Sequence, residues 1–240
     1  MSENETIDWL IITHPHQDHL DDLNNLFYYG LNPRVLSRPT NAFDVVPSSN
    51  NEKHINTIKK INEMHRNYTS DILPSLSPLN SLYNGGIEIY TFSPPSDLCV
   101  KEDLNSYSNV IVMSYMGYKF VLTGDNPSNV LKSMYERDRD FRNAIADATI
   151  LLAPHHGRDN EFCEEFVTKV NPILTIISDG TIKCATQEYS AKNYADCSRG
   201  CALYDKDRKS LTTRSDGNIT VKIHSATECR VSFGEDTYGN

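Results

Sequence analysis

The sequence predicts a layered α/β protein, and three observations predict it. Short runs of apolar and β-branched residues, of strand length, recur along the chain. Segments with apolar residues three and four positions apart lie between them. Strands interleaved with helices in this way make layers packed about one core.

Residues 7–13 (IDWLIIT) read as a buried strand running into THPHQDH. Residues 20–29 follow as a helix, with Leu20, Leu23, Leu26 and Phe27 on one face. Residues 34–37 make a short strand before Pro39. Ile55, Ile58, Ile61 and Met64 recur at helical spacing, which predicts an amphipathic helix over 52–66 that carries His54 and His65 as surface residues. Residues 68–86, rich in Ser, Pro, Asn and Gly, read as loop.

From residue 87 the period changes. Strands are expected at 87–92, 109–115 and 119–123, the last two joined by a turn at 116–118. Asn126 followed by Pro127 reads as an N-cap and first helical position, opening a helix through Glu136. The alternating charges of 137–140 read as a solvated turn. A strand at 148–153 ends in PHHG; a helix near 161–169 and a strand at 173–178 follow. Residues 184–207 give no clear pattern, and 219–223 and 229–233 read as closing strands. There is no internal repeat and no clear linker. At roughly 150 residues per domain, 240 residues make one large domain or two small ones, and a single domain over 1–240 is expected.

The chain carries 23 Lys and Arg against 32 Asp and Glu, a net charge of −9. This argues against a protein gripping duplex nucleic acid through a broad basic face. It leaves room for an enzyme that reaches phosphates through bound metal. No apolar run approaches the ~20 residues of a membrane span, and none serves as a secretory core, so a cytoplasmic chain without membrane contact is expected. In that compartment the six cysteines are expected as reduced thiols. Cys197 and Cys201, four apart and near Cys184, leave open a small metal or redox site.

Histidine is the informative residue. Of eight, three fall in His14-Pro-His16-Gln-Asp18-His19, and His155 and His156 are adjacent. Neutral imidazoles and a carboxylate suit a borderline divalent ion such as zinc, manganese or iron. A tight turn at a strand's end would let His14 and His16 share one ion and Asp18 and His19 reach a second. Two later strands also deliver polar residues: FVLTGD ends in Asp125, placed to bridge two ions, and LLAPHHG ends in His155 and His156.

H-x-H-x-D-H, then strand-T-G-D, then strand-P-H-H-G, resembles the metallo-β-lactamase superfamily, and within it the hydrolase domain of ComEC-type DNA-uptake proteins. Residues 105–125, 148–157, 172–180 (PILTIISDG) and 213–221 (TRSDGNITV) are similar to that subgroup's segments, so the likeness spans about residues 7 to 223. It implies a four-layer αβ/βα sandwich with the metal site at one edge of two sheets. By resemblance His14 and His16 hold one metal and Asp18 and His19 another. Asp125 bridges, and His155 is the later ligand. His156 is left as ligand, supporting residue or substrate contact.

This chain departs from the pattern. The family's opening strands are shortened or missing, which leaves room for a partner chain or a second copy to complete them. The histidine that many members carry between the first motif and the bridging Asp is absent, with Asn105 near its place. HHGS becomes HHG followed by Arg158, and a later G-H-P segment is lacking. One or two divalent ions, Zn²⁺ or Mn²⁺, are therefore expected.

The resemblance implies a phosphodiesterase or nuclease acting on nucleic acid or a nucleotide, through a metal-bound hydroxide. Asp18 would orient that hydroxide and Asp125 would hold the ions. His156 or Arg158 would stabilise charge developing on the phosphoryl group. Asn105 and Lys183 are further substrate-side candidates. No G-x-S-x-G elbow or Walker motif supports a serine hydrolase or P-loop enzyme. Two readings stay open beside this one: a thioesterase or lactonase with the same ligands, and a degenerate regulatory module completed by a partner.

Overall fold

The computed structural model describes residues 6–39, 51–82, 84–182, 184–203 and 206–234. It shows a mixed α/β protein in two compact units: Met1–Glu88 with Ser93–Asn109, and Ile89–Phe92 with Val110–Asn240.

In the first unit, β1 (Ile7–Ile11) pairs in parallel with β2 (Pro33–Ser37), in a register that sets Trp9 opposite Val35. Between them lies α1 (Leu23–Tyr28), and α2 (Glu52–Asn67) follows. The apolar residues that set the helical period are those that pack: Leu20, Leu23, Ile58, Ile61 and Met64 close a core with Ile12 and Leu36. Polar bonds fix the same elements. Trp9 Nε1 donates to Ser37 Oγ at 2.8 Å, and Asn24 donates to Thr57 at 2.9 Å. His65 is no idle surface residue, because its Nδ1 accepts from Arg38 Nε at 2.9 Å. Arg38 also donates to the carbonyls of His65 and Tyr68. The helix expected from residue 20 starts at Leu23, because Gln17–His19 forms a 3-10 turn first.

The second unit is built on a six-stranded mixed sheet. Its strands are β3 (Glu88–Phe92), β4 (Val110–Tyr115), β5 (Tyr118–Leu122), β6 (Ile150–Leu152), β7 (Leu174–Ile177) and β10 (Ser210–Thr212), in the order β10-β7-β6-β5-β4-β3. β4 and β5 form an antiparallel hairpin pairing Tyr115 with Tyr118. The two linking residues, Met116 and Gly117, both have positive φ, the geometry that matches a two-residue turn to strand twist. β5, β6, β7 and β10 run parallel. Parallel strands covered on both faces need continuous apolar runs, and Val121, Ile150, Leu151, Leu174, Ile177 and Leu211 are buried. Phe141 packs edge-on against Phe92 at 5.2 Å and stacks with Phe166 at 6.3 Å.

The helices of this unit differ from expectation in three places. α3 (Ser128–Arg137) has Pro127 at its N-cap. Asn126 does not cap it: its side chain is buried and donates to the Thr123 carbonyl at 2.9 Å. Glu161 reaches in from elsewhere and accepts from Ser128 N at 3.0 Å. The 137–140 segment is not a solvated turn but the start of α4 (Arg139–Ile145), where Asp138 accepts from the backbone of Asp140 and Phe141. After α5 (Glu164–Val170), the unassigned 184–207 region contains α6 (Ser190–Asp196) and the strands β8 (Cys201–Leu203) and β9 (Lys206–Arg208). Following the short helix α7 (Thr213–Asp216), the closing strands β11 (Asn218–Ser225) and β12 (Glu228–Gly234) form their own antiparallel pair. All six cysteines are thiols. Among the described residues no helix is long and apolar enough to cross a membrane.

Candidate metal centre

The chain leaves β1 through Ile12 and Thr13 into the histidine motif. His14 is fully buried, His16 and His19 are half-buried, and Asp18 is exposed on the 3-10 turn. The turn folds the chain back, so the rings cluster: His14 lies 5.0 Å from His16 and 4.2 Å from His19 between centroids. Asp18 Oδ2 is 3.7 Å from His19 Nε2. Thr13 Oγ1 lies 3.2 Å from His14 Nδ1 and 3.4 Å from His19 Nδ1. A hydroxyl has one proton to give, so at least one of these imidazoles carries its own on Nδ1. When that ring is neutral, its Nε2 is the lone-pair atom that can bind a metal. Thr13, which carried no signal in the motif, is therefore part of this cluster.

In the second unit, the parallel strands all deliver polar residues at their C-terminal ends, where open α/β sheets present ligand-binding groups. β5 leads to Asp125, β6 to His155 and His156, β7 to Ser178 and Asp179, and β10 to Thr213 and Arg214. Asp125 is 4% exposed, and its Oδ2 lies 3.5 Å from His156 Nε2. His156 Nδ1 donates to the Ser178 carbonyl at 2.7 Å, so when the ring is neutral Nε2, on the Asp125 side, is the lone-pair atom. His155 differs from its neighbour. Burial pushes its imidazole below the usual histidine range. Asp125 opposes this, and Arg158 and His156 add to it. Its Nδ1 is buried with no hydrogen-bond partner among the described residues.

Both histidines adopt left-handed backbone conformations, φ 47° and 54°. Such strain persists only where surrounding structure holds it, and it concentrates at functional sites. Gly157 completes the turn at φ +69°. A Cβ there would meet Ser190 Oγ at 2.5 Å and Ile177 Cγ2 at 2.8 Å, so the third letter of HHG is required by packing. Arg158 donates to Thr186 Oγ1 at 3.2 Å. Asn105, in the first unit, is 8% exposed, with an Oδ1 that finds no partner among the described residues. Lys183 lies outside the described residues.

His and Asp side chains that could hold a metal ion are thus present. They include His14, His16, Asp18 and His19 in the first unit, and Asp125 and His156 in the second. Nitrogen and carboxylate donors of this kind fit a borderline divalent ion. The fold and these side chains define a mixed α/β protein with a candidate metal centre. No protein-family model and no curated protein matches the chain.

Proposed function

We propose that this protein is a metal-dependent hydrolase of phosphodiester bonds, with nucleic acid or a nucleotide as substrate, built as a four-layer sandwich of the metallo-β-lactamase type. His14, His16, Asp18, His19 and Asp125 would hold one or two ions, zinc or manganese, together with His156 or His155. The observation that carries the reading is the gathering of three imidazoles and a carboxylate on the turn after β1. Surface histidines without a task have no reason to bury one ring fully and close on one another. A bound ion supplies Lewis acidity for a phosphoryl oxygen and lowers the pKa of water. Asp125, buried beside His156, would hold the ions in place, and Arg158 would offer its guanidinium to charge on the substrate.

The test is metal analysis of the purified protein together with a panel of phosphodiester, thioester and lactone substrates. Zinc or manganese is expected at one or two equivalents, and its loss is expected when His14 and His16 are both replaced by Ala. Phosphodiester cleavage should disappear in Asp125→Ala and after chelation. Turnover confined to the thioester or lactone would reassign the bond. Protein that neither contains nor takes up a transition metal would refute the centre.

A further inference from the structure

The left-handed turn at His156 is held from two sides by residues outside the histidine motifs, and all of them converge on Arg214. Its Nη2 lies 2.9 Å from Asp179 Oδ2 and donates to Gln187 Oε1 at 2.7 Å, while its Nε donates to the Gly180 carbonyl at 2.8 Å. The Asp179 side chain is 3% exposed and that of Arg214 is 19% exposed, so this pair is largely withdrawn from water. Asp179 is fixed further: it accepts from the backbone of Arg214 at 2.9 Å and exchanges bonds with Thr213 Oγ1. Each arm then touches His156. The 178–180 turn presents the Ser178 carbonyl to the ring Nδ1 at 2.7 Å. Gln187, whose Oε1 accepts from Arg214 and, at 3.2 Å, from the Cys184 N–H, donates from Nε2 to the His156 backbone carbonyl at 2.7 Å. One guanidinium therefore ties the carbonyl that fixes the ring tautomer to the amide that fixes the strained backbone.

We infer that Arg214, acting through Asp179 and Gln187, is a positioning residue that sets the tautomer and aim of His156 and so tunes the affinity of the metal centre. The inference rests on the metal-centre reading above. Its physical basis is that partners behind a ligand orient it and raise its basicity, and that removing one typically costs about 10–100-fold in metal affinity. A guanidinium suits the task because its donors lie in one rigid plane, which an ammonium cannot reproduce. The sequence signal is slight: Asp179 and Arg214 each follow the end of a parallel strand, β7 and β10.

The experiment uses the purified full chain with ¹⁵N-labelled histidine, at mildly alkaline pH, with His156→Gln to assign the His156 ring signals. In the wild-type protein that ring should be protonated at Nδ1. In Arg214→Ala and in Gln187→Ala its signals should move toward a mixture of tautomers, and zinc affinity by titration should fall about 10–100-fold. Arg214→Lys should not restore either property. Arg142→Ala removes a different arginine, which donates to the carbonyls of Tyr135 and Glu136. It should lower stability while leaving the His156 signals and zinc affinity unchanged. Wild-type His156 signals and zinc affinity in Arg214→Ala would overturn the inference; should that variant not fold, Gln187→Ala and Arg214→Lys decide it. A wild-type protein that takes up no metal would refute the proposed function, and the His156 ring signals would still decide the positioning role.

Discussion

At the scale of single residues, the second candidate motif depends on a glycine as much as on its histidines. Gly157 sits at positive φ with Ser190 and Ile177 closed over its missing side chain. In Gly157→Ala the left-handed backbone costs about 1–2 kcal/mol, and forcing a methyl into packed atoms costs a similar amount, so a loss of about 3 kcal/mol is expected. Gly180 is the matched comparison. Its φ is not in the left-handed region and nothing lies within 4 Å of an added Cβ, so Gly180→Ala should stay within about 0.5 kcal/mol of the parent. Urea unfolding of the two variants measures the difference, and equal stabilities would contradict the packing described. At this scale the residue types were readable. His14, His16, Asp18 and His19 stand out by spacing alone. Thr13 and Gln187 do not, because a hydroxyl or amide that orients a ring gives no pattern in one dimension.

At the scale of elements, legibility follows where the stabilising contacts come from. The 52–66 period predicts α2 within a residue because one face of that helix supplies its core contacts. Of the parallel strands in the second unit, β5, β6 and β7 were readable because burial on both faces demands unbroken apolar runs, whereas β10, three residues long, gave no pattern. Helix starts were less legible: α2 opens at the expected residue, but α1 and α3 do not. Asn126 followed by Pro127 matches a cap in sequence, yet the Asn126 amide turns back to Thr123, and Glu161 takes over the Ser128 N–H from a separate turn. Asp138, by contrast, is a cap that the alternating charges concealed. It accepts two backbone N–H groups of α4. Asp138→Ala should cost ~1 kcal/mol, and Asp138→Asn, which keeps an acceptor oxygen, should recover most of it. Thermal unfolding of the pair checks this, and an Asn variant as unstable as the Ala variant would count against capping. The region of α6, β8 and β9 was unreadable because its elements are short and draw on different contacts: α6 packs against β7 and β10 with Ser190 and Tyr194 enclosed, while β8 and β9 form a separate two-stranded sheet of exposed and half-buried residues.

At the scale of the whole molecule, the acidic balance of −9 decides little about stability at neutral pH, whereas buried acids that stay protonated decide its alkaline limit. Burial raises the thiol pKa of Cys163, Cys197, Cys201 and Cys229 and pushes the Tyr194 phenol far above its ordinary value. A group whose folded pKa is raised holds its proton longer in the folded chain than in the unfolded one. Its contribution is complete below the unfolded pKa and declines as pH rises past it. Stability should therefore fall from about pH 8.5, where unfolded thiols ionise, and more steeply above about pH 10, where unfolded tyrosine does. Lys119, whose pKa is lowered chiefly by burial, works in the opposite sense near the upper end of that range. Tyr194 allows the two parts to be separated. Its ring packs edge-on against Phe162 at 5.0 Å, and its hydroxyl is buried with no partner among the described residues. Removing an unsatisfied buried hydroxyl relieves a desolvation cost, so Tyr194→Phe should be more stable than the parent by about 1 kcal/mol at neutral pH. The same variant should lose part of the steeper decline above about pH 10, the rest belonging to Tyr68 and Tyr107, whose phenol pKa burial also raises, while keeping the thiol-linked decline that precedes it. Calorimetric melting of both proteins across this range gives the answer, and a Tyr194→Phe curve parallel to the parent at every pH would show that this phenol is not the group that limits alkaline stability.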